Sequence, residues 1–219
     1  MGKKIIMIGN GSYSQTLMYY INSIEDWEIV AYADESQHEV GEIFNGLPIL
    51  SVENLAKAYP PHSYDLVMGV GYLNMNENRK RIFLNLKSSG YKFLNIIHPT
   101  AILNNAKIGE GNVILENVVV EPNTVIGDNS IIWSSVLIGH NVTIESHNHL
   151  AACSLMAGNT YLEECCFLGN HSTIKDGIKI AHHTLVGAGA YVSKNSEPYD
   201  VIVPARSIKL EGRKSTDFI

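Results

Sequence analysis

The groups in this chain best suited to moving a proton near neutral pH are its histidines, nine in all, of which six fall at His140, His147, His149, His171, His182 and His183. Imidazole changes charge close to neutrality, so a histidine held against a nucleophile serves as general base or acid. A metal centre needs ligands that converge with regular geometry, and these positions are scattered along a long stretch. No metal is therefore expected. The three cysteines, Cys153, Cys165 and Cys166, lack the even, spaced pattern of a disulfide framework and suit a reducing, cytoplasmic setting. A second chemical feature stands near the start. The apolar run Lys3 to Ile8 leads into Gly9-Asn10-Gly11-Ser12 and then a helical pattern through Ser23. Backbone amides at a helix N-terminus attract an anion, and Gly11 and Ser12 permit its close approach. The dinucleotide fingerprint is incomplete, because Ser14 holds the third glycine position. Asp34, ending the next apolar run, is where a carboxylate would accept hydrogen bonds from sugar hydroxyls or a base edge.

The elements that position the histidines follow from a period. Stepping by six from Ile96, the residues are Ile96, Ile102, Ile108, Ile114, Val120, Ile126, Ile132, Ile138, Ile144, Leu150, Met156, Leu162, Leu168, Ile174, Ile180, Val186 and Val192, all aliphatic or Met. Two positions earlier the side chain is mostly short, as at Thr100, Ala106, Thr124, Ser130, Ser154, Thr160, Cys166, Ser172, Thr184 and Ala190. Neither the helical period of 3.6 nor plain alternation yields a spacing of six. A triangular coil does, with one hexad per side, three hexads per turn, and residues eighteen apart stacked in layers. Each coil buries its faces only against its neighbours. Cys166 then falls at a small inward position and reads as core filler.

Residues 1–95 form a different unit. The strand through Ile8, the glycine turn, the helix and a strand from Trp27 to Asp34 follow the order of a parallel α/β fold. Further strands are expected at Tyr64 to Val70 and Lys92 to Ile96, with a helix from Glu77 to Ser89 between them, giving four parallel strands. The whole chain, at 219 residues with 45% hydrophobic and 17% charged, reads as a soluble globular protein. A net charge of -6 with no basic stripe argues against nucleic acid. No apolar run reaches the length of a membrane span, and the one at the N-terminus is too short for a secretory signal.

Together, the glycine turn Gly9-Asn10-Gly11-Ser12-Tyr13-Ser14 and the hexad repeat of residues 96–219 resemble the bacterial nucleotide-sugar N-acetyltransferases of the bacillosamine pathway and the related sialic acid O-acetyltransferases. The resemblance implies a small Rossmann-like domain followed by a left-handed parallel β-helix. The hand comes from the resemblance alone, since parallel crossovers are nearly always right-handed. It also implies acetyl-CoA as co-substrate, a nucleotide-linked amino sugar as acceptor, and a homotrimer whose active sites are shared between neighbours. O-acetylation, transfer of another acyl group and a non-catalytic scaffold are the alternatives.

Residue by residue, the resemblance places the nucleotide sugar against Gly11, Ser12, Tyr13, Asp34, Glu35 and Gly71, with Tyr13 standing where a histidine is usual. His140, in Ser134-Ser135-Val136-Leu137-Ile138-Gly139-His140, matches the catalytic histidine, and His149 the one that contacts the acetyl thioester. Gly158 matches the glycine whose amide serves the thioester carbonyl. Asn170 and Ala188 match positions along the pantetheine arm, and Pro204 and Arg206 lie in a segment similar to that near the adenine end of coenzyme A. An acidic residue usually follows the catalytic histidine, but here Asn141 does. An amide stabilises an imidazolium far less than a carboxylate, so Glu145 or an acid from a neighbouring subunit is the expected substitute. His147 is expected to face solvent, His171, His182 and His183 are candidates for the coenzyme A groove, and Trp133, Leu137 and Leu155 for a subunit face.

Overall fold

A computed structural model describes residues 2–217 apart from Glu25, Gln37 and Val40. Its N-terminal part is a sheet of β1 (Lys3–Ile8), β2 (Trp27–Asp34), β3 (Ile43–Phe44), β4 (Leu47–Ser51) and β5 (Asp65–Met68), in the order β3-β4-β2-β1-β5. β4, β2, β1 and β5 are parallel, and β3 folds back antiparallel on β4. Helices α1 (Ser12–Ile24), the single turn α2 (Leu55–Ala58) and α3 (Glu77–Ser88) make the connections. β1 is buried from Ile5 to Ile8, as a central parallel strand covered on both faces must be. Four parallel strands are present, but one is not where the sequence pattern suggested. Leu47–Ser51 supplies it. In the expected strand from Lys92 to Ile96, only Phe93 makes a bridge to Leu66, and Ile96 already pairs with the repeat.

From Ile96 the chain winds as the left-handed parallel β-helix, in two-residue strands joined by tight corners. Three faces result. The first stacks Lys107–Ile108, Val125–Ile126, Thr143–Ile144, Tyr161–Leu162 and Lys179–Ile180; the second includes Val113–Ile114, Ile131–Ile132, His149–Leu150, Phe167–Leu168 and Leu185–Val186; the third stacks Val119–Val120, Leu137–Ile138, Leu155–Met156, Thr173–Ile174 and Tyr191–Val192. Partners within each of these stacks are eighteen residues apart, as Ile126 with Ile144 or Ile138 with Met156. The predicted inward residues from Ile114 to Val192 form one core cluster, with Ile108 packed on its end. The first coil departs from the frame. Ile96 and Ile97 pair with Val113 and Ile114, seventeen residues on, and Ile102 sits opposite Val119. Ile97 and Leu103 therefore face the core, Ile102 is 54% exposed, and Ile96 is buried in a separate cluster with residues of the N-terminal domain. A side-chain period of two on each strand makes a one-residue slip swap inside for outside.

The corners have their own rule. One residue in each adopts a left-handed conformation, with φ between 55° and 72° at Asn117, Asn123, Asn129, Ser135, Asn141, His147, Cys153, Asn159, Cys165, His171, Gly177, His183 and Gly189. Asn and Gly visit that region at least cost.

Helix α3 lies along the corner between first and second faces and ties the two parts together. Arg79, fully buried, donates from Nε to the Asn129 carbonyl at 3.0 Å, from Nη1 to Met68 and Val70 at 3.2 and 2.6 Å, and from Nη2 to Gly111 at 3.2 Å. Around it, Asn76 donates to the Cys166 carbonyl at 3.3 Å, Lys80 pairs with Glu164 at 2.8 Å and Glu77 with His183 at 2.8 Å. Gly111, at φ 68°, has the Phe83 ring and the Phe93 Cβ about where a side chain would stand. Replacing Arg79 with Ala strands four carbonyls in a dry contact, so stability should fall by about 3 kcal/mol or more. A urea midpoint equal to that of the wild type would contradict this role for the guanidinium.

Candidate functional site

At the C-terminal ends of β1, β2 and β5 a cleft of about 470 Å³ opens between the sheet and the second-to-third corner of the β-helix. It is lined by Gly9, Asn10, Gly11, Ser12 and Tyr13 of the glycine turn, Asp34 and Glu35 after β2, Gly69 to Leu73 after β5, and Trp133 from the repeat. All six residues predicted to meet the nucleotide sugar, Gly11, Ser12, Tyr13, Asp34, Glu35 and Gly71, are among them. The position follows the general rule for open α/β sheets, where ligands bind beyond the carboxyl ends of the strands.

Local packing explains the irregular glycine motif. Gly9 has φ 98°, and a Cβ there would stand 3.0 Å from the Gly69 carbonyl oxygen. A Cβ on Gly69 would come within 2.8 Å of the Ser14 Cβ, so the strand-to-helix approach usually secured by the third glycine is secured here from the β5 side. Ser14 is buried and its hydroxyl donates to the Gly11 carbonyl at 2.7 Å. The first turn of α1 contains no acidic residue to compete for its free amides. Asp34 Oδ1 accepts from the Ser36 backbone N–H at 2.8 Å and lies 2.6 Å from His38 Nε2, while Glu35 on the rim is paired with Arg81. The Tyr13 hydroxyl is buried without a hydrogen-bond partner among the described residues, and burial pushes it well above the ordinary phenol range.

The predicted acyl-transfer residues sort onto two corners. His140, Asn141 and Gly158 lie on the corner between third and first faces, His140 and Asn141 both exposed. The His140 backbone N–H donates to Glu121 at 2.9 Å, and its Nδ1 is 3.0 Å from the side-chain nitrogen of Asn141. A Cβ on Gly158 would stand 2.6 Å from Cε1 and Nε2 of His140, so that glycine is what lets the ring lie flat on the coil. Asn170, Ala188 and Pro204 lie on the other corner, between second and third faces. There Gly169 and Gly187 leave bare backbone, with a Cβ on Gly169 blocked 2.5 Å from the Ala188 nitrogen. Arg206 follows in the exposed C-terminal segment.

Three residues sit elsewhere than the sequence suggested. His149 is on the second face, beneath the N-terminal domain. It is 2% exposed, stacked on Phe167 at 4.6 Å and edge-on to Tyr72 at 4.6 Å, apart from the corner that bears His140. His147, expected in solvent, is buried beside Phe83 with Nδ1 2.9 Å from the Asn129 amide. Trp133 faces its own chain's Tyr13 at 6.2 Å, not a free subunit face. Leu137 and Leu155 remain half-buried on the third face. Glu145, the suggested acid for His140, accepts from the Tyr161 hydroxyl and from the Glu164 backbone N–H at 3.1 Å. His183 is bound to Glu77 and stacked on Tyr199 at 4.7 Å, with His182 edge-on to the same ring. Glu77, Cys165 and His183 bring ligand-type atoms within 4.8 Å of one another, and burial pushes the Cys165 thiol up to about 12.

The repeat and the leading domain both match known families. Residues 105–140 and 123–158 match the bacterial transferase hexapeptide (six repeats), 160–194 the hexapeptide repeat of succinyl-transferase, and 4–86 the PglD N-terminal domain. The chain thus joins a PglD-type N-terminal domain to the hexapeptide repeats of bacterial transferases. Solved structures of the same fold include a mutant of perosamine N-acetyltransferase from Caulobacter crescentus with CoA and GDP-perosamine, 22% identical over 92% of this chain and 93% of that one, TM-score 0.80. The acetyltransferase domain of PglB from Neisseria gonorrhoeae FA1090 is 22% identical over 92% and 97%, TM-score 0.78, and WeeI from Acinetobacter baumannii AYE is 20% identical over 92% and 97%, TM-score 0.75. Among curated protein sequences, none matches the chain. No helix among the described residues of this hexapeptide transferase is long and apolar enough to cross a membrane.

Burial holds the two interdomain histidines neutral, depressing His149 to about 3 and His147 to about 4. In the unfolded chain both titrate near 6.5. Their folded pKa values lie below the unfolded ones, so these two histidines cost the fold nothing above about pH 6.5 and destabilise it progressively as pH falls. Each histidine contributes a slope of about 1.4 kcal/mol per pH unit. The buttressed carboxylates Glu77, Glu110 and Glu116 are held below the usual range, and their contributions fade only under about pH 4.5. Urea midpoints between pH 6.5 and 5 should therefore fall steadily, and His149→Phe should flatten that fall by about half; an equally steep fall in the variant would count against a neutral buried His149.

Proposed function

We propose that this protein transfers the acetyl group of acetyl-CoA to the amine of a nucleotide-linked deoxy-amino sugar. One observation carries the reading: an anion-accepting cleft at the end of a Rossmann-like sheet faces a hexapeptide β-helix, and one corner of that β-helix presents an exposed histidine against a bare glycine. Residues 1–95 are the nucleotide-sugar domain and residues 96–219 the acyl-transfer domain. The diphosphate meets the N-terminus of α1 at Gly11 and Ser12, and Tyr13, Asp34, Glu35 and Gly71 line the remainder. The perosamine enzyme is described with CoA and a GDP-sugar, and the PglB domain with acetyl coenzyme A, which supports the same pair of substrates here.

The chemistry asked of the chain is modest. The sugar amine attacks the thioester carbonyl, a C–N bond forms and the C–S bond breaks. His140 takes the proton from nitrogen and returns it to the departing thiolate. The Gly158 amide donates to the oxyanion. Gly169, Asn170, Gly187, Ala188 and Pro204 offer a flat strip for a thin pantetheine arm, and Arg206 stands near its phosphate end.

The functional unit is a homotrimer with shared sites, in the cytoplasm. His140 and Gly158 occupy one corner of the coil, whereas Asn170, Ala188, Pro204 and the nucleotide cleft beside Trp133 belong to another, across the third face. A second copy brings the two corners together, its groove closing over Leu137 and Leu155. His149 then acts through the wall of the nucleotide cleft rather than at the thioester.

Incubating the protein with acetyl-CoA and a panel of nucleotide amino sugars, with thiol release followed, tests this directly. Release with an amino sugar, and none with its hydroxyl analogue, is expected; release that is indifferent to the amine would reject N-acetylation. His140→Ala should lower turnover by about a hundredfold or more without loss of fold. Gly158→Ala, which crowds the ring at a position free of left-handed strain, should cost about a hundredfold in kcat at unchanged melting temperature.

A further inference from the structure

The geometry assigns the acid missing beside His140 to Asp176, a positioning residue two coils further along the same corner; the assignment rests on reading His140 as the proton acceptor. Two asparagines connect them. Asn141 Nδ2 is 3.0 Å from His140 Nδ1 and 3.3 Å from Asn159 Oδ1, and Asn159 Nδ2 is 3.2 Å from Asp176 Oδ2. An ionised carboxylate only accepts, so Asn159 must turn its amino group to Asp176 and its carbonyl to Asn141. Asn141 must answer with its own amino group, which also donates to Nδ1 of His140. A ring nitrogen that accepts carries no proton. The neutral imidazole is therefore protonated at Nε2.

A third group fixes the direction. The point where a Cβ on Gly158 would stand is 2.6 Å from His140 Nε2 and 3.1 Å from Asp176 Oδ2. The Nε2–H edge and the carboxylate thus border the same space, which exists because residue 158 has no side chain. An acid at position 141 would have faced Nδ1 and left Nε2 as the basic nitrogen. Here the acid stands on the Nε2 side, so the ring works the other way round. The substrate's proton is received at Nδ1 as the Asn141 amide gives way. The imidazolium keeps Nε2–H towards Asp176, whose charge stabilises it until the Nδ1 proton passes to the thiolate. Glu121 also borders this corner, where one of its carboxylate oxygens accepts from the His140 backbone N–H at 2.9 Å.

The full-length protein with 15N-labelled histidine rings reports the tautomer without any substrate. Wild type should show His140 protonated at Nε2, and Asp176→Asn a mixture of tautomers. In acetyl transfer, Asp176→Asn should lower kcat about tenfold with KM for acetyl-CoA unchanged, and Asp176→Glu should recover part of the loss. Asn141→Asp supplies a stricter check. A carboxylate against Nδ1 draws the proton onto the nitrogen that must accept, so kcat falls, whereas an ordinary adjacent acid would raise it. An Nδ1–H tautomer in the wild type, an unaltered tautomer and kcat in Asp176→Asn, or a faster Asn141→Asp enzyme would each overturn the assignment. Inactivity of the wild type on every amino sugar, with the tautomer response to Asp176→Asn intact, would sink the functional reading and leave the hold of Asp176 on the ring supported.

Discussion

Everything in the candidate site is measured from the seam where α3 meets the first-to-second corner of the β-helix, and the seam is held by Arg79. Its guanidinium reaches carbonyls at the end of β5 and on two successive coils, with no carboxylate among its hydrogen-bond partners. Burial lowers its pKa only to about 10, so it stays charged at neutral pH. A planar fork of fixed donors matches several carbonyls at once, which an ammonium does not. The consequence is rigid registration: the strand end that carries Gly69 to Tyr72 is locked to particular coils, and the cleft at the carboxyl ends of the sheet receives Trp133 as a wall. His149 and His147 lie in the same seam, neutral because it is dry. Their burial is a property of the junction, and no pattern within the repeat announces it.

How much of this was legible in the chain depends on the length scale of each signal. The hexad period is a many-fold repeated constraint, since every inward residue stacks on one eighteen away, and it survives any single exception. It fails where stacking neighbours are missing. At the first coil nothing lies on the outer side to enforce register, so Ile96 and Ile102, apolar and in frame, are released to other surroundings while Ile97 and Leu103 turn inward. In the N-terminal domain, Leu47–Ser51 escaped notice because it follows a tight hairpin at Asn45-Gly46 and has Pro48 within it. The Lys92 segment looked like a strand because it is apolar and leads into one.

Asn141 shows how a residue read for chemistry alone can mislead. On the corner between third and first faces, the left-handed position is filled in successive coils by Asn105, Asn123, Asn141, Asn159 and Gly177. That column could have been seen in the sequence as asparagine recurring every eighteen residues. Asparagine is present there for its backbone, as in the coils where no chemistry is proposed. Once such a column exists, its side-chain amides stand one coil apart, close enough for Asn141 to bond Asn159. A conformational requirement thereby creates a polar path along the corner, and an acid at its far end acquires influence over the ring at its near end.

The division of the site between corners follows from the coil itself. A triangular helix with two-residue sides places adjacent corners on opposite edges of a flat face, and two of the outward side chains on that face, Leu137 and Leu155, are apolar and half-buried. On the proposed reading, a nucleotide sugar anchored at the Trp133 edge would lie across that face from the His140 of its own chain. The free His140 edge carries exposed His140, Asn141 and Asn159 around Gly158. In the proposed trimer, two such edges from different copies complement each other, because each supplies what the other lacks: a cleft at the N-terminus of α1, and a histidine over a glycine. On the proposed shared-site reading, association does for this fold what a mobile lid does for others, closing reactants between preformed walls without requiring either wall to move.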